Sequence, residues 1–424
     1  MNQEQLFKLA NNNSNIRQNE KIVVFGVGGG GGNALNHIIE SNVQGVDFVA
    51  ANTDARALDK NLAPNKIILG ENLTRGLGAG ANPQVGTNAA KESIEKIKEY
   101  ITGIDMLFVT AGMGGGTGTG AAPVIAGAAK DMGVLVVGVV TKPFGFELSK
   151  RMRTAELGIE DLKKNVDALL IVENDRLIQM ENGAKMKIAD AYKKVDEVLR
   201  QAVQGVTDLI TQNGFINLDF ADIKAILTGA GTAIMGMGEG EGEDRAKKAA
   251  QNAITSPLMT VPVTGAKGIL LNVTTGNEIM LGEMADAARI IEETADPDAQ
   301  VIWGHVFDET LGEKVHVTLI ATFPEDVGGN ARRVITNQNP VQNIQRGPQP
   351  QSPVQQPVQP TQPQPQSVKT TNTIWDIYKS NRVRAQAQAV EEARLNAPND
   401  DGAFPGLQKK FYDQPALYRR PRKD

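Results

Sequence analysis

The residues GMGGGTGTG at positions 112–120 carry the clearest structural signal in the chain. They follow an apolar run at 105–110 that predicts a buried strand, and they precede a helical pattern at 121–130. Glycine lacks a Cβ, so its backbone can turn sharply and approach an anion, and the first turn of a helix offers unpaired N–H groups. The stretch therefore predicts an anion-binding turn, with Thr117 and Thr119 as additional hydroxyl donors.

A second stretch of the same kind lies near the amino terminus. Residues 26–33 read GVGGGGGN, directly after an apolar run at 22–27 and before a helical pattern. Taken alone, these glycines also fit the G-x-G-x-x-G spacing of a dinucleotide site, with Asp47 or Asp54 as the ribose acceptor. An NAD-dependent oxidoreductase is therefore an alternative that this stretch by itself leaves open.

The presence of two such stretches favours a longer phosphate chain. A dinucleotide needs one glycine turn for its pyrophosphate, whereas two turns predict a nucleoside triphosphate. No G-x-x-x-x-G-K-[ST] sequence is present, and neither stretch contains a lysine. Backbone N–H groups are therefore expected to hold most of the phosphate charge, with Mg²⁺ as a cofactor whose protein ligands stay undefined.

Short apolar runs alternate with helical patterns along the first half of the chain. The runs are rich in β-branched residues and apolar on both faces, as buried parallel strands are. This alternation predicts a doubly wound α/β domain with a parallel sheet, then a central long helix and a smaller α+β domain. The predicted runs are 22–27, 46–51, 105–110, 134–141 and 167–172, with one helix over 88–101.

The predicted domain organisation follows from this pattern and from a change in composition near residue 326. Beyond that point the chain is mostly polar and rich in Gln and Pro, so it cannot bury enough apolar surface to fold. The predicted segments are a disordered N-terminus (1–20), a nucleotide-binding domain (21–186), the central helix (187–213), an α+β domain (214–325) with strands at 268–273, 300–307 and 314–323, a disordered linker (326–410) and a short, partly apolar, basic C-terminal peptide (411–424).

Composition narrows the possible chemistry. The chain has 424 residues, a net charge of −5, no cysteine and three widely spaced histidines. Thiolate and cysteine–zinc sites are excluded, and His37, His305 and His316 are predicted to be surface or half-buried polar residues. The longest apolar stretch, 134–140, is far below the roughly 20 residues that span a bilayer. A cytoplasmic protein without nucleic-acid binding or membrane insertion is expected.

Residues 112–120 contain the signature G-G-G-T-G-[TS]-G of the tubulins. Together with residues 26–33, this stretch closely resembles the tubulin/FtsZ family of cell-division GTPases. The resemblance covers about residues 20–325 and recurs in the tail. Further matching segments are Asn52-Thr-Asp54, 73–83 (LTRGLGAGANP), 143–147 (PFGFE), 174–176 (NDR) and 217–222 (NLDFAD).

The resemblance implies a set of nucleotide-binding residues. Glu147 is expected to contact the ribose, and Arg151 is expected to lie beside the nucleotide, although their spacing alone indicates only an i,i+4 helix salt bridge. The residues expected to hold the phosphates are Gly29, Gly30, Gly31, Gly32, Asn33, Gly115, Gly116, Thr117 and Gly118.

The same resemblance assigns the guanine base to Asn174, Tyr192 and Asp196. Guanine presents two N–H donors on one edge, and an ionised carboxylate at Asp196 can accept both, which adenine does not offer. Tyr192 lies one helical turn before Asp196 and can stack on the base. The family more often has phenylalanine there. GTP and GDP are therefore the expected ligands.

Asn217, Asp219 and Asp222 are implied to be catalytic, acting on the nucleotide of the next subunit. Two carboxylates can orient a water in line with the γ-phosphate. Without the resemblance, Asp219 and Asp222 fit a helix N-cap and a first-turn acid. A non-hydrolysing nucleotide-gated scaffold is a further alternative.

The implied biology is that of a division-ring protein. Head-to-tail filaments of identical subunits, with assembly-dependent GTP hydrolysis, are expected at the division site at mid-cell. Residues 413–420 (DQPALYRR) resemble the family's C-terminal peptide, which docks on membrane-tethering and regulatory proteins, with Leu-Tyr where Phe-Leu is commoner.

Overall fold

The structure is a computed structural model that describes residues 20–179, 185–212, 214, 216 and 218–323. All of these lie in one compact unit. The predicted N-terminal segment up to residue 19, the linker and the C-terminal peptide lie outside the described residues, as does Asn217. The predicted domain boundaries stay predictions.

Six parallel strands form the first part of the sheet, in the order β3-β2-β1-β4-β5-β6. This confirms the predicted doubly wound α/β fold. The strand at residues 65–68 was not predicted from the sequence, because it is short and partly polar. The strands are β1 (Ile22–Val27), β2 (Val46–Asn52), β3 (Asn65–Ile68), β4 (Met106–Gly112), β5 (Leu135–Lys142) and β6 (Ala168–Glu173).

Helices cover both faces of these strands. Alternate residues of β1 enter two different cores: Ile22 and Val24 pack in one, and Val23 and Phe25 in the other. The helices of this part are α1 (Gly28–Glu40), α2 (Ala55–Asp59), α3 (Glu71–Thr74), α4 (Pro83–Glu92), α5 (Ile94–Ile101), α6 (Thr117–Asp131), α7 (Ser149–Lys163), α8 (Asn174–Ile178) and the central helix α9 (Ile188–Thr211).

The single helix predicted over 88–101 is wrong, because the structure has two helices, α4 and α5, that meet at Ser93. The Ser93 hydroxyl is buried, accepts the Gly70 N–H at 2.9 Å and donates to the Ile68 carbonyl. These bonds tie the helix pair to the end of β3. An apolar stripe alone does not reveal such a break, because the stripe continues on both sides of it.

The remaining strands form a mixed extension of the sheet. Strand β7 pairs in parallel with β6, β10 lies antiparallel between β7 and β8, and β9 pairs in parallel with β8. A third core lies between these strands and the last helices. The elements are α10 (Phe220–Leu227), β7 (Gly231–Gly240), α11 (Arg245–Ile254), β8 (Gly268–Thr275), α12 (Leu281–Thr294), β9 (Gln300–Phe307) and β10 (Val315–Phe323).

Strand β7 was missed because alternate positions along it are glycines. A methyl group added to Gly238 would overlap with the carbonyl of Ala249 in α11. Glycine is therefore needed for the helix to pack closely on the strand, which hides the usual apolar signal. Within the described residues, no helix is long and apolar enough to cross a bilayer.

Candidate nucleotide site

The two glycine stretches meet at the carboxyl ends of β1 and β4. Helix α1 begins at Gly28, immediately after β1, and Gly28 has a left-handed φ of +72°. A Cβ on Gly28 would lie 2.7 Å from the amide nitrogen of Gly118. A residue with a side chain would therefore strain the backbone and push the two stretches apart.

The predicted phosphate-binding glycines fall into two groups by their surroundings. A Cβ on Gly29 or Gly115 would meet no other atom within 4 Å, so both border open space. A Cβ on Gly31 would overlap with the carbonyl of Thr110. Gly29 and Gly115 are therefore placed to face a ligand, whereas Gly31 allows α1 to pack against β4.

Gly30 and Gly116 also serve close packing. A Cβ on Gly30 would lie 3.0 Å from the Cα of Gly112, and one on Gly116 would lie 2.8 Å from the Cβ of Ala79. Their backbone groups remain part of the two turns. These glycines bring other segments close enough for the turns to form one site.

A cavity of about 430 Å³ adjoins the first stretch, and both Gly32 and Asn33 line it. The Gly32 carbonyl accepts a hydrogen bond from the Asn61 side chain at 2.8 Å. Arg56 and Lys60, from the short helix α2 and the residue after it, also line this cavity. The sequence analysis missed these two cations, because they are about 30 residues from the glycines along the chain.

The two threonines of the second stretch have different surroundings. The Thr117 hydroxyl oxygen lies 2.6 Å from that of Thr53, which is fully buried. Thr119 is also buried, and its hydroxyl oxygen accepts the Gly114 N–H at 2.9 Å. The Thr117 hydroxyl thus joins the second stretch to the end of β2, and the Thr119 hydroxyl stabilises the turn itself. Their roles as donors to phosphate stay predictions.

Glu147 and Arg151 form the expected i,i+4 ion pair, with 3.0 Å between Oε2 and Nη1. The other Glu147 oxygen accepts the Phe144 N–H at 2.9 Å. The Arg151 side chain packs on the second glycine stretch, since a Cβ on Gly114 would lie 2.8 Å from the Arg151 Cγ. The salt bridge and a place beside the nucleotide are thus compatible.

Asn174 and Tyr192 flank one end of the same region. Asn174 is the first residue of α8 and is buried, yet its Oδ1 atom accepts no hydrogen bond from any of the described residues. A buried acceptor without a donor is costly, so this atom suits a donor from a ligand. The Tyr192 ring is half-exposed and meets the Phe144 ring edge-on, with 5.4 Å between centroids.

Two of the residues predicted to bind guanine, Asp196 and Tyr192, have shifted pKa values. Burial raises the pKa of Asp196 to about 6, and His37 offsets this in part. Burial and then the Glu147 carboxylate raise the pKa of the Tyr192 hydroxyl. A carboxylate that is poorly solvated gains strongly from hydrogen-bond donors, which is the chemistry of a guanine edge.

The two predicted catalytic acids, Asp219 and Asp222 (the acidic pair), lie far from the glycine turns of the same chain. Fifteen residues of α9 separate Asp196 from Thr211, the last residue of that helix, which corresponds to about 22 Å. The Thr211 side chain lies against Gly45, just before β2 begins, whereas the glycine turns lie at the carboxyl ends of the strands. Asp219 follows α9 and is therefore remote from the nucleotide-binding residues.

Asp219 and Asp222 occupy the positions that their spacing alone predicts, namely the N-cap and the first turn of a helix. Asp219 caps α10, and its Oδ1 accepts the Asp222 N–H at 2.9 Å. Both residues are exposed. Among the described residues, no group of three or more His, Asp or Glu side chains is placed to hold a metal ion.

Two family comparisons match the regions described above. Residues 21–182 match the tubulin/FtsZ family GTPase domain, and residues 231–323 match the C-terminal domain of the FtsZ family. The chain belongs to the tubulin/FtsZ family. It is accordingly a GTPase of this family that binds GTP and GDP. The comparisons give no support to the oxidoreductase alternative.

Solved structures agree with this membership of the tubulin/FtsZ family. An empty FtsZ dimer from M. jannaschii is 42% identical, with a TM-score of 0.71, and the match covers 77% of this chain and 93% of that one. A mutant of FtsZ from M. jannaschii is also 42% identical, with a TM-score of 0.70 and coverage of 76% and 95%. CetZ2 from Haloferax volcanii, in a GTPγS-bound protofilament, shares the fold at 21% identity, with a TM-score of 0.59 and coverage of 71% and 92%.

Proposed function

We propose that this chain polymerises head to tail and hydrolyses GTP only where two subunits meet. The observation that carries the proposal is the separation within one chain between the guanine-binding side chains and the acidic pair. The distance along α9 is about 22 Å, far beyond the reach of a carboxylate. A complete site therefore needs the acids of a second subunit.

Such a contact joins two different surfaces of identical subunits. A contact between unlike surfaces repeats without closing, so it builds an open filament. The FtsZ dimer and the CetZ2 protofilament among the similar structures are assemblies of this kind of protein, which supports the proposal. Each nucleotide then lies between two subunits.

Asp219 and Asp222 carry the hydrolytic step, with Asn217 beside them in sequence. One Asp219 oxygen holds the first turn of α10, which fixes the direction of the carboxyl group. Two exposed carboxylates can orient a water in line with the γ-phosphate of the neighbouring subunit, and positioning supplies most of the rate. Mg²⁺ bound with the nucleotide would supply positive charge that offsets the charge developing on the phosphates.

The first experiment compares GTP turnover with polymer formation over a range of protein concentrations. Turnover per subunit should fall steeply below the concentration at which a pelleting assay detects polymer with GTP. Asp219→Ala should still bind GTP and pellet, but lose turnover. Asp161→Asn, which changes an exposed acid paired with Lys164 on α7, is the matched control and should behave as the unmodified protein.

A mixing experiment tests the shared site directly. Asp219→Ala has an intact nucleotide site, and Asp196→Ala has an intact acidic pair. In a mixed filament, some contacts join the intact nucleotide site of an Asp219→Ala subunit to the intact acidic pair of an Asp196→Ala subunit. GTP turnover of the mixture should therefore exceed the sum of the turnovers of the two separate variants. Turnover that is independent of dilution, or unaffected by Asp219→Ala, would instead indicate an intrachain site or a nucleotide-gated scaffold.

The cellular role proposed is that of a cytoplasmic division-ring filament at mid-cell. The C-terminal peptide 411–424 docks on membrane-tethering and regulatory proteins, since it combines a short apolar strip with arginines. A fluorescent fusion of the full chain should form a ring at the division site. Deletion of 411–424 should leave polymerisation in vitro intact and disperse the ring; a ring that persists contradicts this role of the peptide.

A further inference from the structure

His305 was predicted to be a surface or half-buried residue, but only 2% of it is exposed. It belongs to β9, and its N–H donates to the Ile216 carbonyl at 3.1 Å. A methyl group on Gly214 would overlap with the His305 carbonyl and would lie 3.5 Å from Nδ1 of its ring. The backbone of Gly214 and Ile216, a few residues before the acidic pair, therefore lies directly on His305.

The neighbouring Gly304 completes this contact. A Cβ on Gly304 would lie 3.4 Å from the Ile216 carbonyl oxygen and 3.4 Å from Cγ of Leu218. Leu218 immediately precedes Asp219. Gly304 and His305 thus form a platform for the backbone of Gly214 and Ile216 and for the side chain of Leu218.

The hydrogen bonds of Thr275 assign the protonation of the imidazole. The Thr275 hydroxyl donates to the Gly276 carbonyl at 2.9 Å and lies 2.8 Å from Nε2 of His305. A hydroxyl has one proton, so its oxygen must accept from Nε2–H. In the neutral ring, Nδ1 then carries the lone pair and faces Gly214.

The ring is kept in this neutral form by its surroundings. Burial lowers the pKa of His305 below its usual range. The Phe307 ring packs edge-on against the imidazole, with 4.5 Å between centroids. His316 on β10 differs, because it is more exposed and faces the Glu239 carboxylate at 3.3 Å.

We propose that His305 is a positioning residue for hydrolysis: anchored through its imidazole by Thr275, it supports the backbone of Gly214 and Ile216 and so sets where Asp219 and Asp222 meet the neighbouring nucleotide. The inference rests on the proposed shared site. Misplacing a catalytic group by about 1 Å can cost about 100-fold in rate. The histidine acts through the backbone and does not itself contact the nucleotide.

The two ring nitrogens can be tested separately. His305→Gln places an amide near the position of Nε2 and can still donate to Thr275, but it leaves no atom at the position of Nδ1, which packs against Gly214. His305→Asn places its amide near the position of Nδ1 and restores that packing contact. His316→Gln, on the adjacent part of the sheet, is the matched control.

The quantity to measure is GTP turnover per polymerised subunit, at saturating GTP and equal pelleted polymer. We expect a loss of about tenfold or more in His305→Gln, a smaller loss in His305→Asn, and none in His316→Gln. GTP affinity of the unassembled subunit should stay unchanged in all three. Thr275→Val, which removes only the hydroxyl, should lower turnover in the same assay and serves if the His305 variants do not fold.

Equal turnover of His305→Gln and the unmodified protein at equal polymer would overturn the positioning role. Equal losses in the glutamine and asparagine variants, in proportion to lowered thermal stability, would also overturn it, because they would indicate packing alone. These outcomes differ from a failure of the shared site. That failure would show as dilution-independent turnover in the unmodified protein.

Discussion

Gly28 and Gly118 lie 90 positions apart in sequence, yet a Cβ on Gly28 would come within 2.7 Å of the Gly118 amide nitrogen. Gly28 also has a left-handed φ of +72°. We expect Gly28→Ala to lose about 1–2 kcal/mol of folding free energy from backbone strain alone, and more from the clash. GTP affinity should fall with it, as measured by calorimetry and thermal unfolding.

Gly282→Ala is the control for that substitution. Gly282 lies in the first turn of α12, has no neighbour within 4 Å of an added Cβ and is remote in sequence from the turns. Alanine there should be neutral or slightly stabilising, because it favours helix. An unfolding free energy of Gly28→Ala equal to that of Gly282→Ala would show that the contact between the two stretches is not needed.

Gly29→Ala should separate ligand binding from folding. The added methyl group meets no protein atom within 4 Å, so the thermal stability of the nucleotide-free protein should hardly change. If the phosphates occupy this open side, the methyl group blocks their approach to the backbone, and GTP affinity should drop. Unchanged affinity would place the phosphates elsewhere.

The affinity for GTP should depend on pH through Asp196. Its pKa in the unliganded protein is raised to about 6, and guanine N–H donors favour the ionised form, so binding lowers this pKa. GTP affinity is then highest above pH 6, where Asp196 is ionised, and falls by up to about tenfold for each pH unit below 6. Titrations between pH 5 and 8 measure this, and Asp196→Asn should abolish the dependence while weakening binding.

Asn174→Ala should weaken GTP binding more than it weakens the fold. The Oδ1 atom of Asn174 is buried and has no donor in the protein, so its removal breaks no internal bond of that atom. Loss of a hydrogen bond to the base should cost about 1–3 kcal/mol of binding free energy. A loss of stability without a loss of affinity would assign Asn174 to the core instead of the base site.

Much of the first domain could be predicted because its signals are local. A strand, a run of glycines and a helix are consecutive in the chain, and each is marked by its own residue types. The strands β1, β2, β4, β5 and β6 follow from this pattern. Strand β7 does not, because glycines occupy the alternate positions of its second half where the alanine face of α11 packs on it.

Some residues of the candidate site can likewise be predicted from the sequence, whereas others are brought to the site only by folding. Both glycine stretches and the residues predicted to bind guanine are visible in the sequence, through spacing and through the resemblance to the family. Arg56 and Lys60, which line the cavity beside the first stretch, are not visible, because only folding brings α2 to that place. Thr119 and Thr117 are indistinguishable in sequence, yet their hydroxyls face different partners.

Side-chain chemistry and spacing alone were enough to establish a phosphate-binding α/β domain, because conformational freedom and apolar periodicity are properties of neighbouring residues. Only the tertiary structure determined that Gly29 borders open space while Gly31 is packed on β4, and that His305 lies against the backbone of Gly214 and Ile216. These outcomes depend on contacts between segments far apart in the chain. Such contacts form only when the sheet aligns those segments, so no local pattern encodes them.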